Sequence, residues 1–456
     1  MDNKFFLAHL CYGDYGTIFI EDSELLSINW ENGKLENIQS GADKGLGIHI
    51  QSGDESYYSH QNTVDAGSLD KIVSSLIPRN KKKKQLTKPI QEEKAFSHPV
   101  KIKANEIELN SKIGFLKDVN GYIASSDSKI KQVVIRYGEK NKKIKVISSD
   151  GCVSSEIRDY VVVFVSVIAA DQGDIQTATE VVGGIGGFEL IRETDWKTIS
   201  KRLASLVINK LSAPYLPARE MPVVLSSEAG GTMIHEAIGH NLEADAVQKG
   251  ISPHFANKKG KKVANELVSI VDDPTLAGKR GSYFIDDEGV IAQKTVLVEN
   301  GLLKDYLYDR YTALKDKRES NAHGRRESFQ TKPIPRMANT FILPGSSSPS
   351  DIVRSLKDGL LVKKMGGGQV NTATGDFVFE VEEGYLVKEG KPQNLVRGAT
   401  LLGNGPQVLL DIDMVGNDMG WGIGTCGKEG QGVPVSDGQP TLRIKNILVG
   451  GSSESK

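Results

Sequence analysis

Short apolar runs bounded by Gly, Asn, Asp or Pro recur along most of this chain. "GTIFIED" (residues 16–22) and "GLGIHIQSG" (45–53) read as strands, and "DAGSLDKIVSSLI" (65–77) gathers its apolar residues on one helical face. "KQVVIRYGEKNKKIKVISSDG" (131–151) reads as a hairpin, and "DYVVVFVSVIAADQGDIQTATEVV" (159–182) as long β-rich sequence. These strands need a cover. Residues 194–213 supply it, since Trp196, Ile199, Leu203, Leu206 and Lys210 fall at helical spacing and Pro214 ends the pattern. Sheet and helix together imply an α/β layer.

Pro217 and Pro222 then open a new unit, with "PVVLSS" as a short buried strand. Downstream, "SYFIDDEG", "KTVLVENGLLKDYLYD", "GDFVFEVEEGYLVKEGK" and "PTLRIKNILVGG" are strand-like and separated by turn residues. The fold class is α+β, an N-terminal α/β sheet-and-helix part followed by a β-rich C-terminal domain. The expected division is an N-terminal subdomain (1–78), a lysine-rich linker (79–99), a middle α/β domain (100–216) and a C-terminal β-rich domain (217–456). The linker's four-lysine run has no interleaved aromatics, so a solvated connector is expected rather than a nucleic-acid patch.

Composition narrows the function classes. With 456 residues, 38% hydrophobic and 25% charged, the chain has the make-up of a globular protein of two or three domains. A net charge of −1 provides no field that would steer it to nucleic acid or an acidic membrane. The three cysteines, Cys11, Cys152 and Cys426, are too sparse and too odd in number for a disulfide framework, and no apolar run reaches membrane-spanning length. A cytoplasmic protein without membrane or nucleic-acid partners is expected.

The chemistry concentrates in "GTMIHEAIGH" (231–240). His235 and His240 are metal-ligand candidates, and Glu236 is a general-base candidate for activating water. Their spacing is awkward. On a regular helix of about 100° per residue, positions five apart diverge by about 140°. A π-type turn brings them into rough register, and Gly239 is the residue expected to permit it. A third ligand must come from elsewhere, and His254, His323, Glu243 and Cys426 are the candidates. Glu243, three residues past His240, is expected to face solvent or make a helix-surface contact. Cys426 lies among closely spaced glycines that let the backbone approach another element.

The ordered set "GGTMIHEAIGHNLEAD", "IDDEG", "NAHGRRESFQTKPIPRMANTFILPG", "GGGQVNTATGDFVF", "VRGATLLGNG", "MVGND" and "CGKEGQGVPVSDGQPTLRIKNILVGG" resembles the TldD/PmbA family. The resemblance is close over residues 217–452 and looser before them. It points to the TldD-like branch, which carries HExxxH, rather than the branch that lacks it. The resemblance implies a cytoplasmic metallopeptidase with zinc held by His235, His240 and Cys426 and with Glu236 as base, although iron can occupy such a donor set. It also implies a dimer, with an identical chain or a motif-less family member, enclosing a cavity in which unfolded peptide is held as an added strand.

Other features are weaker. Arg325, Arg326 and Arg336 could meet a peptide carboxylate or form internal salt bridges, "GGGQV" (366–370) reads as a turn or peptide-contact loop, and "DDEG" (286–289) as a β-turn. Two other readings use the same residues: a peptide-binding partner subunit with a structural metal, and an amidase acting on a peptide-derived metabolite.

Overall fold

The computed structural model describes residues 3–76 and 89–451. The N-terminal half builds β1 (Tyr15–Glu31), β2 (Lys34–Ser52), β3 (Glu55–Gln61), β4 (Lys94–Ser97), β5 (Ile130–Ser148), β6 (Val153–Asp171) and β7 (Asp174–Ile185). All seven lie in one sheet of order β3-β2-β1-β5-β6-β4, with β7 also on β6. The strand signals at 16–22 and 45–53 therefore join the same sheet as those of the middle stretch. Along β6, Val161, Val163, Val165, Val167 and Ala169 are buried while their neighbours are half-exposed, the period of two that a one-sided core demands.

That core face packs against helices Leu109–Ala124 and Trp196–Ser212. The second is the expected cover. Asp195 caps it by accepting from the Thr198 amide at 3.0 Å, and Trp196, Leu203, Leu206 and Lys210 are buried. Toward the other half of the chain, Phe19, Ile144 and Val146 pack on Ile285 and Phe329 and join the two halves. Of the lysine-rich stretch, residues 79–88, which include the four-lysine run, lie outside the described residues; Lys94–Ser97 runs parallel to β6.

Two local expectations fail. Residues 131–151 do not fold back as a hairpin, because β5 is one continuous strand paired along its length with β1 and β6. Its polar centre is used for pairing with neighbours: Lys142 lies 3.3 Å from Glu21 on β1, and Glu139 receives Lys112 of the covering helix Leu109–Ala124 at 2.7 Å. "SYFIDDEG" forms no strand either, only an isolated bridge from Ile285 to Ile291. The Gly289 amide closes a turn on the Asp286 carbonyl at 3.1 Å, and Asp286, Asp287 and Glu288 are buried against arginines and backbone amides. Their polar contacts hold this segment where strand pairing would otherwise have done so.

The C-terminal half begins with β8 (Arg219–Leu225), β9 (Ile270–Asp272), β10 (Thr295–Glu299), β11 (Leu302–Leu303), and the short pair β12 (Gly324–Arg325) and β13 (Ile334–Pro335). It continues with β14 (Asn339–Ile342), β15 (Asp358–Val370), β16 (Asp376–Lys388), β17 (Lys391–Val396) and β18 (Thr400–Asn404). The last strands are β19 (Ile412–Val415), β20 (Gly420–Lys428), β21 (Gln431–Gln439) and β22 (Leu442–Gly450). One sheet has the order β15-β8-β22-β18-β16-β17, and an extra β15–β16 pairing closes it on itself as a small barrel. "GGGQV" is therefore no turn but the bulged end of β15. The other sheet has the order β11-β10-β9-β14-β21-β20, which leaves β20 at its edge.

Candidate metal centre

The motif helix is not one helix. Thr232–Ile234 is a single α turn, His235–Gly239 a π turn and His240–Leu242 a 3₁₀ turn; Glu243 is then extended before Ala244–Gln248 resumes. The wide π turn brings His235 and His240 together, with ring centroids 5.2 Å apart. The distortion falls where the spacing requires it, yet Gly239 is needed for a different reason. Its φ of −54° is open to any residue, but a Cβ there would stand 2.0 Å from the sulfur of the fully buried Met337.

Cys426, on edge strand β20, reaches the same point. Its Sγ lies 3.4 Å from His240 Nε2, and the donor atoms of His235, His240 and Cys426 all fall within 4.8 Å of one another. A tetrahedral zinc with bonds of about 2.0 Å to nitrogen and 2.3 Å to sulfur separates those donors by about 3.5 Å. A second observation fits an ion. His235 Nδ1 is buried and has no hydrogen-bond partner among the described residues, an omission that costs free energy unless something occupies the space before it. β20 packs closely on the segment that leads into the motif: a side chain on Gly420 would strike the Ser227 carbonyl, and one on Gly230 would crowd the Gly422 backbone.

Electrostatics favour a thiolate here. Burial alone pushes the Cys426 thiol up, but His235 and His240 outweigh it and bring the thiol down to about 5. Burial disfavours charge on His240 too, yet Glu243 and Cys426 raise it well above the usual imidazole range. Glu236 is half-buried on the π turn, between the two histidines in sequence.

Glu243 is neither exposed nor a helix-surface residue. The break in the helix turns it beneath His240, where it is 1% exposed and its Oε2 lies 3.1 Å from His240 Nδ1. Lys428 Nζ sits 3.0 Å from the same carboxylate, and Arg336 Nε lies 4.0 Å away. Burial pushes Glu243 up, but Lys428, His240 and Arg336 together bring it down to about 2. Arg336 also donates to the carbonyls of Cys426 and Gln431, so one guanidinium anchors the strand that carries Cys426 while its charge faces the carboxylate behind His240. Sequence reasoning does not place Lys428 or Arg336 at the metal centre, although Lys428, two positions past Cys426, shares its strand face. The other ligand candidates stand apart: His254 is exposed, and His323 is buried 3.1 Å from Asp272.

Three models of the PmbA/TldA metallopeptidase family match successive stretches of the chain: domain 1 over residues 16–77, the central domain over 102–211 and the C-terminal domain over 218–451. The chain belongs to this family. Its sequence is 35% identical to the "Metalloprotease TldD homolog" of Buchnera aphidicola, over 96% of this chain and 93% of that one, and 34% identical to that of Haemophilus influenzae at the same coverage. A "Zinc metalloprotease TldD homolog" of Saccharolobus solfataricus is 31% identical over 62% of this chain and 64% of its own length. Among solved structures, TldE from Thermococcus kodakarensis shares the fold, with a TM-score of 0.75, 17% identity and coverage of 96% and 97% of the two chains. So does a Thermotoga maritima protein described as a candidate modulator of a DNA gyrase, with a TM-score of 0.79, 20% identity and coverage of 95% and 96%.

Proposed function

We propose that this PmbA/TldA-family chain is a zinc-dependent peptidase acting on unfolded or extended peptides, with the ion held by His235, His240 and Cys426. The convergence of the three donors on one point, reached from opposite ends of the C-terminal half, carries the reading. A three-residue donor set leaves an ion with an open position, as catalytic zinc sites do and closed structural sites do not. When bound, the ion supplies Lewis-acid chemistry at a scissile carbonyl. Glu236 takes a proton from the attacking water on a carboxylate oxygen and returns it to the leaving amine. Glu243 holds the His240 ring through Nδ1, and Arg336 fixes the Cys426 backbone, so both donors keep their aim during turnover.

Substrate shape follows from the strand that carries Cys426. β20 is an edge strand, and beside it runs a cleft of about 420 Å³ bordered by Val181–Gly183 of β7, Gly230, Thr232 and Trp421–Ile423. An extended peptide fits there by adding to a sheet edge, with affinity from main-chain bonds and little demand on side chains. A folded domain does not enter such a cleft. A dimer with an identical or motif-less relative, enclosing the cleft in a cavity, and a cytoplasmic location complete the proposal. No helix among the described residues is long and apolar enough to cross a membrane. Glu236→Gln tests the assignment: the variant retains its metal and loses cleavage of an unstructured protein such as casein, and turnover at the wild-type rate would rule Glu236 out as base.

A further inference from the structure

Where the N-terminal sheet meets the C-terminal half there is a cavity of about 190 Å³. Six cations line it: Lys140, Lys142, Arg158, Arg280, Arg325 and Arg326. Some of this charge is answered. Arg158 is paired with Glu156 at 2.9 Å and Asp287 at 2.8 Å, and Lys142 lies 3.3 Å from Glu21, which also faces Lys140 at 3.8 Å. Glu327, the other lining carboxylate, accepts from the Gly432 amide at 2.9 Å.

The remaining three arginines form no ion pair among the described residues. Arg325, 2% exposed, donates to the carbonyls of Met337 at 2.5 Å and Pro434 at 2.8 Å. Arg280 donates to the Gly424 carbonyl, and to Thr425 Oγ1 at 3.3 Å. Arg326, also 2% exposed, donates to the Asp287 carbonyl at 3.2 Å, and to the Tyr58 hydroxyl at 3.4 Å. The Nε groups of Arg280 and Arg326 are buried without a hydrogen-bond partner among the described residues. Asp287 lies within electrostatic reach of Arg325, but among the described residues no carboxylate pairs directly with any of the three. Neutral carbonyls satisfy hydrogen bonds without supplying charge, and a guanidinium withdrawn from water gains most from an oxyanion that takes two of its N–H groups at once. Burial, with Arg325 alongside, lowers the proton affinity of Arg280, in keeping with a cation withdrawn from water beside another.

We infer that this cavity is an oxyanion-binding site, sized for a carboxylate or an inorganic oxyanion and clamping the two halves of the chain when filled. Two sources share this chemistry. One is a small free anion. The other is a carboxylate of the peptide, because Arg280 lines both this cavity and the cleft along Trp421–Ile423. Only the peptide source rests on the peptidase reading; the anion site itself does not.

The test reads binding, not turnover. The thermal midpoint of the full, metal-loaded chain is followed against inorganic phosphate at constant ionic strength, with chloride as the control, for wild type, Arg280→Gln and Lys140→Gln. The expected result is a saturable rise with phosphate that chloride does not give, with half-saturation about tenfold higher in Arg280→Gln, as loss of one charge-assisted contact implies. A purely structural Arg280 would lower the midpoint in buffer and leave the phosphate increment intact. On Glu236→Gln protein, one peptide is then compared as free acid and as C-terminal amide. Tighter binding of the acid, reversed by phosphate, assigns the site to peptide carboxylate; equal binding with the phosphate increment retained assigns it to a free anion. No phosphate increment beyond chloride, or one unchanged in both variants, overturns the inference.

Discussion

His240 Nδ1 and Glu243 Oε2 lie 3.1 Å apart beneath the cluster of His235, His240 and Cys426, on either side of the point where the motif helix breaks. The carboxylate fixes the ring's orientation and leaves the other nitrogen, Nε2, the one that faces Cys426, available to the proposed ion. Glu243→Gln keeps the size of the side chain and removes the charge, so metal affinity should fall by about 10–100-fold, in the range typical of lost outer-shell partners. Competition with a chromophoric chelator measures it; an unchanged affinity would mean that the carboxylate does not tune the ligand.

Gly239 presents a packing constraint rather than a conformational one. Gly239→Ala places a methyl 2.0 Å from the Met337 sulfur in a site without free space, and it should cost about 1–3 kcal/mol by overpacking. The double variant Gly239→Ala/Met337→Ala should be less destabilised than the sum of the singles, because the second change removes the clash the first creates. Denaturant titration of the four proteins gives the coupling; strict additivity would place the strain elsewhere.

Asp309 offers a pH signature. Burial raises its carboxyl from 3.8 to about 6, even though it accepts from the Thr312 amide at 2.7 Å and the Thr312 hydroxyl at 2.6 Å. A carboxyl whose folded pKa is raised binds its proton more tightly in the folded state than in the unfolded one. Its contribution is therefore most favourable below 3.8 and is lost as pH rises from 3.8 through about 6. Asp309→Asn, still able to accept at the helix start, should stabilise the protein at pH 7 by about 1–3 kcal/mol and lose that advantage near pH 4. Equal stability of variant and wild type at both pH values would contradict it.

The parts of this fold that are legible in the sequence are those governed by local period. Alternation along β6 and helical spacing over Trp196–Ser212 specify buried faces directly. The five-residue histidine spacing likewise demands a π turn if both rings are to meet one ion. What escapes depends on distant partners. Lys140 and Lys142 look like turn residues until Glu21 is known to lie on the neighbouring strand, and "SYFIDDEG" looks like a strand until Arg158 and backbone amides take up its carboxylates. Helical spacing misplaces Glu243 because it assumes a helix that has already ended past His240. Cys426 is one candidate among four from the residues alone. Only the family resemblance singles it out, and the fold then brings β20 to the motif.

In the proposed mechanism His235, His240 and Cys426 hold one ion on which hydrolysis depends. Metal analysis of the purified chain, alongside Cys426→Ala and His235→Ala, decides this when coupled to digestion of an unfolded protein with chelator and after zinc is restored. Wild type should carry about one equivalent of zinc, both variants should lose it, and activity should disappear with chelator and return with zinc. A wild-type protein that carries no metal and cannot be loaded with any would contradict this mechanism.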